Sequence, residues 1–461
     1  MRTKGKTVKF YNSLTRQKEE FVPLTGNQVR FYSCGVTVYD QCHIGHARSL
    51  YLFDLMARYL RWRGYAVTFV RNITDIDDKI IQRGIKLGKT AAQVAAENIQ
   101  KYRQDLTALG IAPADKEPRA TENISEMIAH IQALIQQGFA YVADGDVYFR
   151  VRSFKDYGKL SGQSVDQMRE AVRIDHDPKK EDPLDFALWK QAKPEEPFWP
   201  SPWGPGRPGW HIECSVMSMK YLNCATLDIH AGGRDLVFPH HENEIAQSEA
   251  LTGKLFARTW IHHGLVTIQG QKMSKSLGNF ITLQDAVGRY GADPLKMFFC
   301  ASHYASDMDF NEVKMQEAAK ALERIHILLA REPALTGNPE VKHTEVASIY
   351  AKFIAAMDDD FNTPEALAGM FELVGYANRH PGTLQAREAA GLVFWLGQNL
   401  LGLSLLSEQA VLEADEAELL KEREQARAQK NFKKSDELRE QLKQKGIIVE
   451  DGKNGQTWRR A

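Results

Sequence analysis

Side chains able to handle phosphate gather in two short stretches of this chain, His43-Ile44-Gly45-His46 and Lys272-Met273-Ser274-Lys275-Ser276. The two histidines fall where a strand-and-loop segment runs into a helix expected to begin near Ala47. A helix start offers free N–H donors and a positive dipole, which favour a triphosphate. Imidazoles placed there add donors that can follow charge developing on the α- and β-phosphates. Gly45 has no side chain, so a flat base can approach the backbone. Lys272 and Lys275 stand among small residues between Gly270 and Gly278, in a loop able to close over a phosphate and reopen. Both could reach a leaving pyrophosphate and lower the barrier electrostatically. Between the two motifs, Asp228-Ile-His230-Ala-Gly232-Gly233-Arg-Asp235 reads as a glycine-rich loop whose carboxylates suit ribose hydroxyls. Each motif alone has a plain structural alternative: two histidines capping a helix, or a solvated lysine loop. In this order they favour nucleotide chemistry.

A second constellation suits a metal. In His240-His241-Glu242-Asn243-Glu244, His240 and Glu244 are i,i+4 neighbours on a helix-compatible stretch. The protease pattern H-E-x-x-H is excluded, because Ile245 occupies the second histidine position. Cys34, at the end of the first strand, and Cys214, in Trp210-His-Ile-Glu-Cys214, could complete a set of types that zinc accepts. Single cysteines also pack as small hydrophobes, so spacing alone leaves this open. The chain has five cysteines in all (Cys34, Cys42, Cys214, Cys224, Cys300), with no CxxC pair. That is no disulfide framework and fits reduced thiols in a cytoplasmic protein.

These residues need a scaffold. Val29–Tyr39 is β-branched and aromatic, and predicts a buried strand entering a loop. Arg48–Arg63 has helical spacing and ends at Gly64; Ala66–Val70 is the next strand. Strand, helix and strand form a parallel α/β unit, which binds ligands at the carboxyl ends of its strands. The expected fold is therefore α/β: a Rossmann-like catalytic domain in two halves, 1–115 and 204–311, split by an inserted α+β domain at 116–203. Six of the 17 prolines lie between Pro194 and Pro208, which rules out a continuous helix or a central strand there. From 312 to 410 the chain reads as a helical bundle, with Thr363 as N-cap before Pro364. A small unit, 411–461, follows. From Lys421 onward, 12 Lys+Arg oppose 7 Asp+Glu, so 12 − 7 = +5. Such a stretch is either a solvated helix face or a phosphate-backbone contact. The 461 residues, 43% hydrophobic and 26% charged with zero formal net charge, exclude a polybasic binder. They offer no apolar run able to span a bilayer and no secretory signal.

The two phosphate motifs resemble the paired ATP signatures of class I aminoacyl-tRNA synthetases. Val29–Asp54, Asn72–Lys79, Pro208–Ser215, Phe238–Gln247, Lys272–Phe280 and Met357–Glu365 are similar to bacterial cysteinyl-tRNA synthetases, a likeness running from about residue 8 to the end. The resemblance implies ATP-dependent attachment of L-cysteine to tRNA(Cys) through a cysteinyl-adenylate. It implies one Zn2+ held by Cys34, Cys214, His240 and Glu244, selecting the substrate as thiolate. Serine, a harder and less acidic donor, would be rejected without an editing domain. ATP with Mg2+ would be met by His43, Gly45, His46, Gly232, Asp235 and Lys275, with Lys272 beside them. The cysteine would be met by Thr74, Trp210 and His230, and the tRNA anticodon by Arg427, Asp436 and Asp451. A cytoplasmic monomer with no membrane partner is expected. Ala231, Arg234 and Ala47 replace smaller residues more usual at those positions in the family. Two other readings are a small-molecule cysteine ligase, which the basic tail opposes, and a silent tRNA-binding protein, which the intact histidine and lysine motifs oppose.

Overall fold

The computed structural model describes residues 7–166, 178–273, 278–332, 341–405, 414–452 and 455–460. The chain forms two compact units, Met1–Leu403 and Ser404–Ala461.

In the first unit a four-stranded sheet carries the site. Its strands are β1 (Gln28–Ser33), β2 (Ala66–Arg71), β3 (Leu227–Gly233) and β4 (Ala257–His263), with spatial order β4-β3-β1-β2 and every pair parallel. Their register aligns Ser33 with Arg71 and Ala231, so the carboxyl ends lie side by side. From β1 the chain passes through α1 (Ile44–Trp62) to β2 on one side, then crosses to β3 on the other. Sheets of this type bind ligands at that reversal of strand order. Tyr32, Val70, Leu227 and Trp260 are buried in one core beneath it, because strands covered on both faces need apolar residues throughout.

Two expectations are corrected here. The segment expected as a glycine-rich loop is instead the central strand β3, fully buried along its length, and only Arg234 and Asp235 extend past its end. Its glycines are there because neighbours press on the strand. A Cβ on Gly232 would stand 2.6 Å from the His241 ring, and one on Gly233 2.5 Å from Asp235 Oδ1. Helix α1 also begins earlier than Ala47: His43 is its N-cap and His46 its third residue.

Between β2 and β3 lies an antiparallel sheet of Ala140–Ala143, Asp146–Phe149, Phe186–Gln191 and Gly206–Pro208, packed on the helix Ile124–Gln136. Its last strand ends on Pro208 and sits at the edge, where a missing N–H costs no ladder bond. The insert's sheet thus extends past residue 203.

Helices Glu312–Arg331, Thr344–Asp358, Thr363–Arg379 and Leu384–Trp395 follow. Asn362, not Thr363, is the N-cap of the third: its side chain accepts the Glu365 N–H at 3.3 Å. Asparagine and threonine cap by the same mechanism, so composition alone could not separate adjacent candidates. The second unit pairs helices Ala414–Ala428 and Phe432–Gln444 with the hairpin Ile447–Gly452/Gly455–Arg460 over Leu420, Leu442, Ile447 and Val449. No helix among the described residues is long and apolar enough to cross a membrane.

Candidate active site and metal centre

His43 caps α1 with its own ring. Its Nδ1 accepts N–H groups of Gly45 (3.0 Å) and His46 (3.4 Å), while His46 Nδ1 accepts the His43 N–H (3.3 Å). The Ile44 N–H goes to Ile281 O and the Ala47 N–H to His43 O. The free backbone donors expected at this helix start are therefore already used. What remains is fixed by that use: with both Nδ1 atoms accepting, each neutral ring carries its proton on Nε2. Burial, reinforced by His43 and Lys79, lowers His46 to about 3, so it is neutral at physiological pH. The rings stack at 3.8 Å and present two fixed Nε2–H donors. A Cβ on Gly45 would lie 2.8 Å from the His43 ring and 3.2 Å from Met273.

That methionine belongs to the second motif. The hairpin Val266–Ile268/Gln271–Lys272 leads into it, and the chain returns through Phe280–Leu283 against the start of α1. Ile44 N–H to Ile281 O and Leu283 N–H to Cys42 O (2.8 Å) form a backbone staple, and Phe280 packs edge-on against His43 at 5.4 Å. Histidine and lysine motifs are thus joined by main-chain bonds. Lys275 and the Lys272 side chain lie outside the described residues. Asp235 is exposed past the end of β3. Asp228, expected as a ribose carboxylate, is buried at the opposite end of that strand, its oxygens accepting the Leu24 and Arg30 N–H groups at 2.6 and 2.8 Å.

Cys34 follows β1, Cys214 lies on α2 (Trp210–Leu222), and Glu244 lies on α3 (Glu242–Thr252) one turn after His240. Their ligand atoms all lie within 4.8 Å of one another. Cys34 Sγ is 3.8 Å from Cys214 Sγ and 3.6 Å from Glu244 Oε1, and His240 Nε2 is 3.0 Å from that same oxygen. Two thiols, an imidazole and a carboxylate, mutually close and nearly free of water, match the donor chemistry of zinc. A hydrogen bond from Cys34 brings the Cys214 thiol down to about 6 against the effect of burial. Burial also opposes charge on His240, yet Glu244 and Cys214 raise it to about 10. Although burial would lift Glu244, His230 and His240 hold it well below the usual carboxylate range.

Three residues are expected to meet the amino acid. Trp210 is 37% exposed and stacks on His240 at 4.1 Å. Thr74 is buried; its hydroxyl donates to Glu213 Oε2 (2.9 Å) and accepts from Asn72 Nδ2 (3.2 Å). His230 is fully buried behind Glu244, stacked on Trp260 with Nε2 2.8 Å from Glu244 Oε2. That geometry lets it support the carboxylate. Sequence reasoning missed a further group: Asn72, whose Oδ1 accepts the Gly35 N–H at 2.8 Å and lies 3.7 Å from Cys214 Sγ, and the relay His241, His262 and Ser13. His241, whose Nε2 lies 3.3 Å from Cys34 Sγ, also belongs to an overlapping set with Cys34, His230 and Glu244. The doubled histidine was the one available signal.

In the second unit, Asp451 accepts both Nη atoms of buried Arg423 at 2.9 Å and also pairs with Arg427 at 2.5 Å. Two of the three anticodon candidates are thus bound to each other, whereas Asp436 is exposed. The Trp458 side chain lies outside the described residues.

A parallel sheet whose carboxyl ends hold paired imidazoles, facing the return from a lysine loop, defines the class I aminoacyl-tRNA synthetase fold. Solved relatives share it. Mycobacterium tuberculosis methionyl-tRNA synthetase in complex with methionyl-adenylate aligns with TM-score 0.62 at 16% identity, covering 82% of this chain and 92% of that one. The Agrobacterium radiobacter leucyl enzyme in a ternary complex with tRNA aligns with TM-score 0.60 at 12% identity, over 82% and 84%. Within that class the chain belongs to the cysteine–tRNA ligase family. The family model described as tRNA synthetases class I (C) catalytic domain matches residues 20–320. A DALR domain matches 352–406, and a cysteinyl-tRNA ligase anticodon binding domain matches 410–459. Cysteine–tRNA ligases of Methylococcus capsulatus (49% identical, 98% of this chain and 100% of that one) and Pseudomonas aeruginosa (50%, 98% and 100%) are similar over nearly their full length.

Proposed function

We propose that the protein joins L-cysteine to tRNA(Cys) in two steps. The cysteine carboxylate attacks the α-phosphate of Mg2+-bound ATP, giving cysteinyl-adenylate and pyrophosphate. A terminal hydroxyl of the tRNA then attacks the adenylate carbonyl and releases AMP. The single observation carrying this reading is the convergence of Cys34, Cys214, His240 and Glu244 beyond the carboxyl end of β1, the strand that also leads into the His43–His46 pair.

The two Nε2–H donors suit the charge that grows on the phosphates during the first step, being fixed in place before the reaction begins. Gly45 lets the His43 ring and Met273 close against the backbone at the nucleotide end of the site, and the exposed Asp235 can meet the ribose. Lys272 and Lys275 follow the leaving pyrophosphate. Zn2+, when bound, supplies a Lewis acid that takes the substrate sulfur as thiolate. Glu244, gripped by His230 and His240, is the ligand best held in register; Trp210, half-open over His240, walls the pocket. Asn72 ties Thr74 to Cys214, so pocket and ligand set move together. In the tail, Arg427 and Asp451 hold the unit's shape while Asp436 is free for the anticodon. The same reading puts the reaction in the cytoplasm on a single chain, with the inserted domain running through the strand Gly206–Pro208.

The test is cysteine-dependent ATP–pyrophosphate exchange, followed by transfer to total tRNA. Exchange and transfer with cysteine but not serine are expected. Exchange without transfer would point to a small-molecule ligase, and absence of exchange in metal-replete protein would overturn the reading.

A further inference from the structure

Arg48 lies two residues after His46, and no part of it reaches solvent. A buried guanidinium normally faces a carboxylate, because an unpaired charge in the interior is costly. Among the described residues, the hydrogen bonds of Arg48 go to main-chain carbonyls alone. Nη1 donates to Gly264 O (2.8 Å) and Leu265 O (3.2 Å). Nη2 donates to His303 O (3.3 Å), Tyr304 O (3.1 Å) and Ser306 O (2.7 Å).

Those carbonyls come from two segments with one destination. Gly264-Leu265 connects β4 to the hairpin Val266–Ile268/Gln271–Lys272, at whose end the lysine motif begins. His303–Ser306 leads to Met308–Phe310, the strand on which that hairpin lies. Packing between the segments is tight: a Cβ on Gly264 would stand 2.3 Å from Ser306 O. The hairpin's far turn is fastened separately, through Asp309 Oδ1, which accepts the Gly270 N–H (2.7 Å) and the Thr267 hydroxyl (3.1 Å). A planar fork with several fixed donors can bridge two segments at once; a lysine ammonium, with three donors on one atom, cannot reproduce it.

We infer that Arg48 is a positioning residue that fixes the lysine-bearing hairpin against the His43–His46 helix and so sets the span of the nucleotide site. The inference rests on the ATP reading above, and its consequence is specific. Loss of the fork should misplace the lysines relative to the imidazoles while leaving the thiol-and-histidine pocket untouched.

Arg48→Lys and, as a second variant at the hairpin's other anchor, Asp309→Ala should be compared with the unaltered protein. Two readouts are needed: steady-state ATP–pyrophosphate exchange, and amide hydrogen exchange across Val266–Ile268. Arg48→Lys should cut kcat on the order of 100-fold, as expected for ångström-scale misplacement, with the KM for cysteine and the bound metal unchanged. Hairpin amides should exchange faster while those of β1 do not, and Asp309→Ala should shift both readouts less, in the same direction. Unchanged hairpin protection, or a cysteine KM that rises in step with the loss of kcat, would overturn the inference. If the unaltered protein shows no ATP exchange but Arg48→Lys still loosens the hairpin, the nucleotide reading falls and the coupling stands.

Discussion

His43 caps a helix and presents a donor with the same ring, and the two uses share a geometry. Gly45→Ala tests this, because the new methyl group would press on the His43 ring at 2.8 Å. The ring must then leave its cap, and a lost cap costs about 1 kcal/mol. ATP–pyrophosphate exchange should fall well before cysteine binding does, which the separate KM values will report. At the metal centre, Cys214→Ser should lose zinc, measured by elemental analysis, and raise the KM for cysteine while that for ATP changes little. Full metal content with normal cysteine affinity would refute the ligand assignment. Residue type and position made His43 and His46 legible, whereas the four metal-ligand candidates came through the family resemblance, because single cysteines 180 residues apart carry no spacing signal. Asn72 and Glu213 were not legible. An amide and a buried acid become informative only when the fold sets them against Cys214 and Thr74.

Elements were read unevenly, for physical reasons. Strand β2 and the body of α1 follow their apolar patterns closely. Strand β3 did not, since a strand buried on both faces shows no alternation and its paired glycines imitate a loop. The capping of Thr363–Arg379 shows the grain of such readings: the turn was found and the capping residue missed by one. Asn362→Ala should lower stability by about 1 kcal/mol, seen as a lower Tm, whereas Thr363→Ala should cost less through this mechanism.

At the scale of the whole molecule, each of the two compact units has its own core, and the smaller one depends on a charge cluster. Hydrogen bonds from Arg423, with the nearby charges of Arg427 and Arg439, hold the Asp451 carboxyl below its usual range. A carboxyl depressed on folding contributes stability above its unfolded value of about 3.9, and that contribution disappears as pH falls through the lower folded value. Melting of Ser404–Ala461, followed by near-UV signals, should therefore soften below about pH 4, and Asp451→Asn should remove most of that acid dependence. The net basic count of this tail was plain in the sequence. That part of its charge is spent internally, on Asp451, was not.

The self-capped start of α1 bears on turnover. A crevice whose amide groups hunger for an anion grips its product as firmly as its substrate. Here those groups are already quenched by the protein's own imidazoles and carbonyls, so departure of a nucleotide leaves no main-chain amide of this helix start unpaired. Vacating the cleft is then cheap. The helix start therefore keeps its order between rounds, with a nucleotide present or absent.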